Sequence, residues 1–202
     1  MNKKEETTKT YNLGAEKLSK KFNQIGLRSE DIDRAFSFLN DKNLNVMEIG
    51  CGNGRDAKHI LTYTKNYIGI DISREMIKLS KKYLPKANFI IGDIEKINIP
   101  RGLDVVFAFA SLLHLNYESF EKILNKFHKK INKDGIIYIS LKYNKTYKEK
   151  IKEDEFGRRF FYFYSIKNLQ ELASKTGYKI IYKSRQNIRN NNWVTIVLQK
   201  TN

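Results

Sequence analysis

Asn45-Val46-Met47-Glu48-Ile49-Gly50-Cys51-Gly52-Asn53-Gly54-Arg55-Asp56 decides how the rest of the chain is read. Asn45–Gly50 has the short apolar run of a buried strand, and Arg55–Tyr63 has helical spacing. Between them a glycine stands at every second position. Such a loop turns sharply and lets a ligand lie against bare main chain. The dinucleotide fingerprint G-x-G-x-x-G seats a pyrophosphate on a helix N-terminus. Here the spacing is G-x-G-x-G, so the third glycine is out of register for it, and Glu48 stands two positions before the first. Taken alone, three glycines of a tight turn would look the same.

Outward from this stretch the chain alternates. Asn66–Asp71 reads as a second strand, Arg74–Tyr83 as a helix ended by Leu84-Pro85, and Ala87–Gly92 as a third strand. Leu103–Phe109 is a fourth, Tyr117–Ile131 a helix with one apolar stripe, and Gly135–Leu141 a fifth. Short apolar strands alternating with helices indicate a parallel sheet covered on both faces. Ser165–Thr176 reads as a helix capped by Ser165 and stopped at Gly177. Tyr178–Lys183 and Trp193–Gln199 are strands joined by a polar loop too short for a crossover, hence antiparallel. The expected fold is α/β: a seven-stranded, mostly parallel sheet with an antiparallel C-terminal hairpin and helices on both faces. Upstream, residues 1–10 are polar and expected to fray. Leu13–Asn40 is helical, broken near Gly26, with Ser29 as a cap.

The 202 residues suit a single domain, divided into a helical N-terminal cap (1–43) and a core (44–202) with a lid-like insert at 144–164. Apolar residues make up 41%, enough to build a core. One cysteine excludes an intrachain disulfide and fits a reducing cytoplasm. No apolar run approaches a membrane span, and the first residues lack a secretory h-region. The net charge is +16, with 19 basic and 8 acidic side chains after residue 114, so a polyanion partner is weighed against a merely solvated lysine-rich surface.

Three further features stand at strand tips, where open α/β sheets bind ligands. Asp71 follows Gly54 by seventeen residues and can accept both hydroxyls of a ribose. Gly92-Asp93-Ile94 places a short acid where an exocyclic amine can be read. Phe109–Leu115 (FASLLHL) brings Ser111 and His114 past the fourth strand. Together these residues resemble the class I S-adenosylmethionine-dependent methyltransferases, with their Rossmann-like sheet, over nearly the whole chain. Within that family the chain is most similar to small bacterial and archaeal members with Gly-Arg-Asp after the first motif (Gly54-Arg55-Asp56), a Ser-Leu-Leu-His run, an aromatic segment (Arg159–Tyr164) and Trp193.

The resemblance implies roles. Gly50, Gly52 and Gly54 would carry the methionine part of S-adenosylmethionine, and Asp71 the ribose. Ile72 and Met76 would flank the adenine, with Asp93 and Ile94 reading its edge. Ala110 and Ser111 would line the sulfonium side, Arg55 and Tyr11 would meet the carboxylate, and Glu48 the amino group. S-adenosylhomocysteine would be the product.

His114 is read equally as a base facing the methyl group and as a structural histidine. Arg159 and Tyr162 are candidates for the substrate pocket. Arg158–Tyr164 can join the core, line a pocket or stack nucleic-acid bases, and Lys145–Phe156 reads as an irregular lid. Cys51 is a small filler, and no metal-ligand spacing is present. A small-molecule acceptor is the leading expectation. The alternatives are an RNA methyltransferase using the basic C-terminal half and a non-catalytic cofactor-binding module.

Overall fold

The computed structural model describes residues 2–39 and 43–201. Seven strands form one sheet in the order β3-β2-β1-β4-β5-β9-β8. They are β1 (Val46–Ile49), β2 (Tyr67–Asp71), β3 (Phe89–Ile91), β4 (Leu103–Phe109), β5 (Ile131–Lys142), β8 (Tyr178–Ile188) and β9 (Asn191–Lys200). The first five pair in parallel, whereas β9 runs antiparallel to both β5 and β8. The expected fold class is thus observed. Chain order reverses between β1 and β4, which opens a crevice at their C-terminal ends.

Two apolar layers hold the sheet. On one face α6 (Tyr117–His128) and α7 (Ile166–Lys175) bury Phe120, Phe127, Leu169 and Leu172 against Val106, Ile137 and Ile139. On the other, α3 (Ser29–Ser37), the short α4 (Ala57–Ile60) and α5 (Arg74–Tyr83) cover Val46, Phe107 and Tyr138. Ser165 caps α7 as expected, exchanging hydrogen bonds with Asn168.

The differences from expectation have physical causes. Residues 3–13 do not fray: they form α1 (Lys3–Leu13), started by a capping box between Asn2 and Glu5. α1 is anchored through threonine hydroxyls rather than apolar side chains, with Thr10 donating to the Arg158 carbonyl at 2.8 Å. α2 (Ala15–Ile25) ends at Gly26, and α3 begins at Ser29 without a side-chain cap from it. Asn40, where the helical pattern was expected to end, lies outside the described residues.

The helix expected over Arg55–Tyr63 shrinks to α4, one turn between loop segments. The helix expected to reach Ile131 ends at His128, because Ile131 already pairs with Leu103 as the start of β5. The polar loop after Lys183 is mostly strand: β8 and β9 run to a two-residue turn at Arg189 and Asn190, both with positive φ (50° and 59°). Finally, Lys145–Phe156, expected to be irregular, belongs mostly to a regular element within the 144–164 insert. It is an antiparallel hairpin of β6 (Lys148–Asp154) and β7 (Gly157–Phe163), standing apart from the main sheet.

Candidate active site

β1 delivers the glycine loop to the crevice. Gly50 has φ +70° and Gly52 φ +55°, both in the left-handed region. A Cβ on Gly50 would sit 2.4 Å from that of Ser111, so β1 and the β4 tip touch through bare main chain. A Cβ on Gly52 would meet nothing within 4 Å: it would project into open space. Gly54 does a different job. It packs against Phe89 and Ser80 and does not line the cavity.

Asp71, at the β2 tip, braces this loop. One carboxylate oxygen accepts the Gly52 N–H at 2.9 Å and the other the Ser73 N–H at 2.8 Å. Each oxygen keeps a lone pair for a ligand. Burial pushes this carboxyl up, while the N–H groups of Ser73 and Gly52 pull it back. Ile72 and Met76 line the same wall, and Ser73 caps α5 by accepting from the Met76 N–H. At the β3 tip, Asp93 accepts from Lys4 Nζ of α1 at 2.7 Å, and Lys4 also reaches Glu95 at 2.6 Å. Ile94 lines the cavity beside them, its carbonyl held by Lys126 Nζ at 2.8 Å.

The β4 tip is strained and partly unsatisfied. Ala110 has φ +53°, unusual for a residue with a side chain, and Ser111 Oγ is buried without a hydrogen-bond partner among the described residues. Three residues on, His114 closes a 3-10 turn (Leu112–His114). Its Nδ1 lies 2.6 Å from the Phe160 carbonyl, and its Nε2 lies 3.0 Å from the Tyr11 hydroxyl. A carbonyl only accepts, so Nδ1 carries the proton and Nε2 accepts from Tyr11. Burial drives the imidazole down to about 4, with the nearby Arg159 guanidinium adding to it.

Glu48 is buried at the cavity floor and accepts the Tyr67 hydroxyl at 2.5 Å. Burial, with Asp56 adding to it, pushes its carboxyl up to about 8. Arg55 is committed: its guanidinium clasps Asp56 and donates to the Phe22 carbonyl at 2.9 Å. Arg28, which nothing in the sequence singled out, also lines the cavity. It lies over the Phe109 ring at 5.1 Å, and its buried Nε stands 3.7 Å from Asp56 Oδ2, an ion-pair distance without a hydrogen bond among the described residues. A lone arginine between two helices carries no motif that could have marked it.

These groups line one cavity of about 970 Å³ that spans the tips of the five parallel strands and is roofed by α1 and the β6–β7 hairpin. Of the expected site residues, Tyr11, Glu48, Gly50, Gly52, Arg55, Asp71, Ile72, Met76, Asp93, Ile94, Ala110, Ser111, His114 and Arg159 meet there. Tyr162 does not: it faces away and stacks on Tyr147. Among the described residues no cluster of His, Cys, Asp or Glu could hold a metal, and no helix is long and apolar enough to cross a membrane.

Residues 46–135 match the family described as "Methyltransferase domain". This match spans less than half of the chain, whose Rossmann-like sheet is the fold of solved S-adenosylmethionine-dependent methyltransferases. The chain is 32% identical over 94 residues to an uncharacterized methyltransferase of Bacillus cytotoxicus, covering 46% of this chain and 44% of that protein. It is 28% identical to malonyl-[acyl-carrier protein] O-methyltransferase 1 of Ilyobacter polytropus, covering 72% of this chain and 55% of the relative. The chain therefore spans about half the length of these relatives. Among solved structures it superposes on a 1,6-didemethyltoxoflavin-N1-methyltransferase of Burkholderia thailandensis. The TM-score is 0.70 at 15% identity, with 94% of this chain and 84% of that one covered.

Proposed function

We propose that this domain transfers a methyl group from S-adenosylmethionine to a small-molecule acceptor. One observation carries the reading: a single cavity joins an open main-chain cradle at Gly52 to carboxylates on the two neighbouring strand tips. The residues fit the cofactor. A sulfonium, a ribose diol and an adenine edge need a contact without side chains, a two-oxygen acceptor and a short acid, in that order along the tips.

The roles follow from the bonds still open. Gly50 and Gly52 would support the methionine part. Arg28 takes over its carboxylate, because the guanidinium of Arg55 is spent on Asp56 and Phe22. Asp71 would accept the ribose hydroxyls, while Ile72 and Met76 pack the adenine. Asp93 would read the adenine edge by exchanging Lys4. Bound here, the cofactor supplies an electrophilic methyl on a neutral leaving group, so orientation of the acceptor does most of the catalytic work. His114 is read as a positioning residue: its Nε2 is occupied and its low basicity keeps it neutral. It holds the Tyr11 hydroxyl so that the phenol oxygen faces the cavity as a hydrogen-bond acceptor for the N–H or O–H under attack.

The test is incubation with methyl-labelled S-adenosylmethionine and, separately, a metabolite extract and bulk tRNA, followed by mass spectrometry. Label in a small product supports this reading. Label in tRNA alone transfers the site to the RNA alternative, and label in neither contradicts methyl transfer.

A further inference from the structure

The β6–β7 hairpin is two-faced. Its register pairs Lys148 with Phe163, Lys150 with Phe161 and Lys152 with Arg159, so these six side chains share one face. That face turns to the cavity, where Lys150, Lys152, Arg159, Phe161 and Phe163 line the wall. The opposite face carries Phe160 and Tyr162, buried toward α1.

Across the cavity, the end of β5 and the start of β9 pair Lys142 with Trp193, with Lys142 Nζ 4.1 Å from the indole centre. The acidic side chains lining the cavity all belong elsewhere: Glu48, Asp56, Asp71 and Asp93 to the cofactor end, Glu30 and Asp31 to α3. Arg159 is 5% exposed; Asp154 holds one of its nitrogens, and its Nε is buried without a hydrogen-bond partner among the described residues. Lys142, half-buried and facing Lys152, is held down at about 8 by burial.

We propose that the methyl acceptor is an anion: an aromatic or flat apolar body bearing a carboxylate or phosphate. Arg159 and Lys142 pair with its charge, Phe161 and Trp193 pack its body, and Lys150 and Lys152 at the mouth draw it in. The inference rests on the methyltransferase reading and names the acceptor class for the same cavity. Aromatic rings interleaved with cations in an acid-free wall give a bound anion both desolvated packing and charge-assisted hydrogen bonds. A neutral or cationic acceptor would leave the Lys142 charge uncompensated in a half-buried site and the Arg159 Nε without an acceptor.

The experiment is calorimetric titration of phenyl phosphate, benzoate and benzyl alcohol, each with and without S-adenosylhomocysteine. It uses wild type, Lys142→Gln and the double variant Lys150→Gln/Lys152→Gln. At least one anion is expected to bind about tenfold or more tightly than benzyl alcohol, the worth of one charge-assisted hydrogen bond. Lys142→Gln should remove most of that preference, while S-adenosylhomocysteine affinity stays within about twofold. The two anions separate phosphate from carboxylate recognition.

Anions binding no better than the alcohol, or lysine variants without effect, would overturn the proposal. So would lysine-dependent binding of bulk tRNA that phenyl phosphate does not compete. Failure of S-adenosylhomocysteine to bind strikes the methyltransferase reading instead, and the titrations without it still decide the acceptor class.

Discussion

Replacing His114 by leucine separates a buried, neutral imidazole from a catalytic base. In the fold His114 titrates near 4 rather than at its ordinary 6.5, mainly because of burial. A histidine whose folded value is depressed contributes stability that is complete above 6.5 and is lost as pH falls toward 4, since the unfolded chain takes the proton first. Each pH unit of that interval is worth about 1.4 kcal/mol, so the wild type forfeits about 3 kcal/mol there through this group.

His114→Leu removes that loss but leaves the Phe160 carbonyl and the Tyr11 hydroxyl without their partner. That costs about 1–3 kcal/mol for each group at neutral pH. Urea unfolding of both proteins should therefore show the variant weaker by about 2–6 kcal/mol at pH 7, with the gap narrowing by about 3 kcal/mol toward pH 4. Contributions of other groups are common to both chains and cancel. A gap constant over that range refutes the buried neutral histidine. A turnover inflection near 6.5 that the variant abolishes refutes its positioning role.

Asp71→Ala removes the proposed acceptor of two ribose hydroxyls; at about 1.5–3 kcal/mol each, S-adenosylhomocysteine affinity should fall at least about 100-fold by calorimetry. Equal affinity would contradict the assignment. Glu48 has the opposite sign from His114: its folded value is raised to about 8, so its stabilising share is complete below 4.5 and is lost as pH rises. Glu48→Gln should therefore become progressively more stable than wild type from about pH 5 to pH 8, read by thermal melts. Gly50→Ala, whose Cβ would collide with Ser111, should lower the melting temperature sharply. Gly52→Ala adds only backbone strain of about 1–2 kcal/mol, yet its Cβ fills the cradle and should weaken S-adenosylhomocysteine binding.

The sheet was legible because each parallel strand is a short apolar run ended by a residue with a local reason to be there. Gly50 turns, and Asp71 and Asp93 accept main-chain N–H groups two residues on or across the crevice. The tips could thus be placed from spacing, while Tyr11, Glu48, Arg55, Ile72, Met76 and Ala110 were placed only by the family resemblance. α1 was not legible, since Thr7 and Thr10 dock through hydroxyls and leave no apolar stripe to read. The β6–β7 hairpin was hidden for a related reason. Its strand β6 is almost wholly charged, so its period shows only once Phe160 and Tyr162 are seen to be buried and Phe161 and Phe163 to face the cavity. Arg28 and the Lys4–Asp93 pair depend on helices folding over distant strand tips, which no local pattern encodes.

The account stands or falls on the strand-tip cavity as an adenosyl site. Titrating S-adenosylhomocysteine into the wild-type protein by isothermal calorimetry measures this directly. Saturable one-to-one binding, displaced by S-adenosylmethionine, is the predicted result; absence of binding heat at millimolar ligand, with the protein folded, would contradict it.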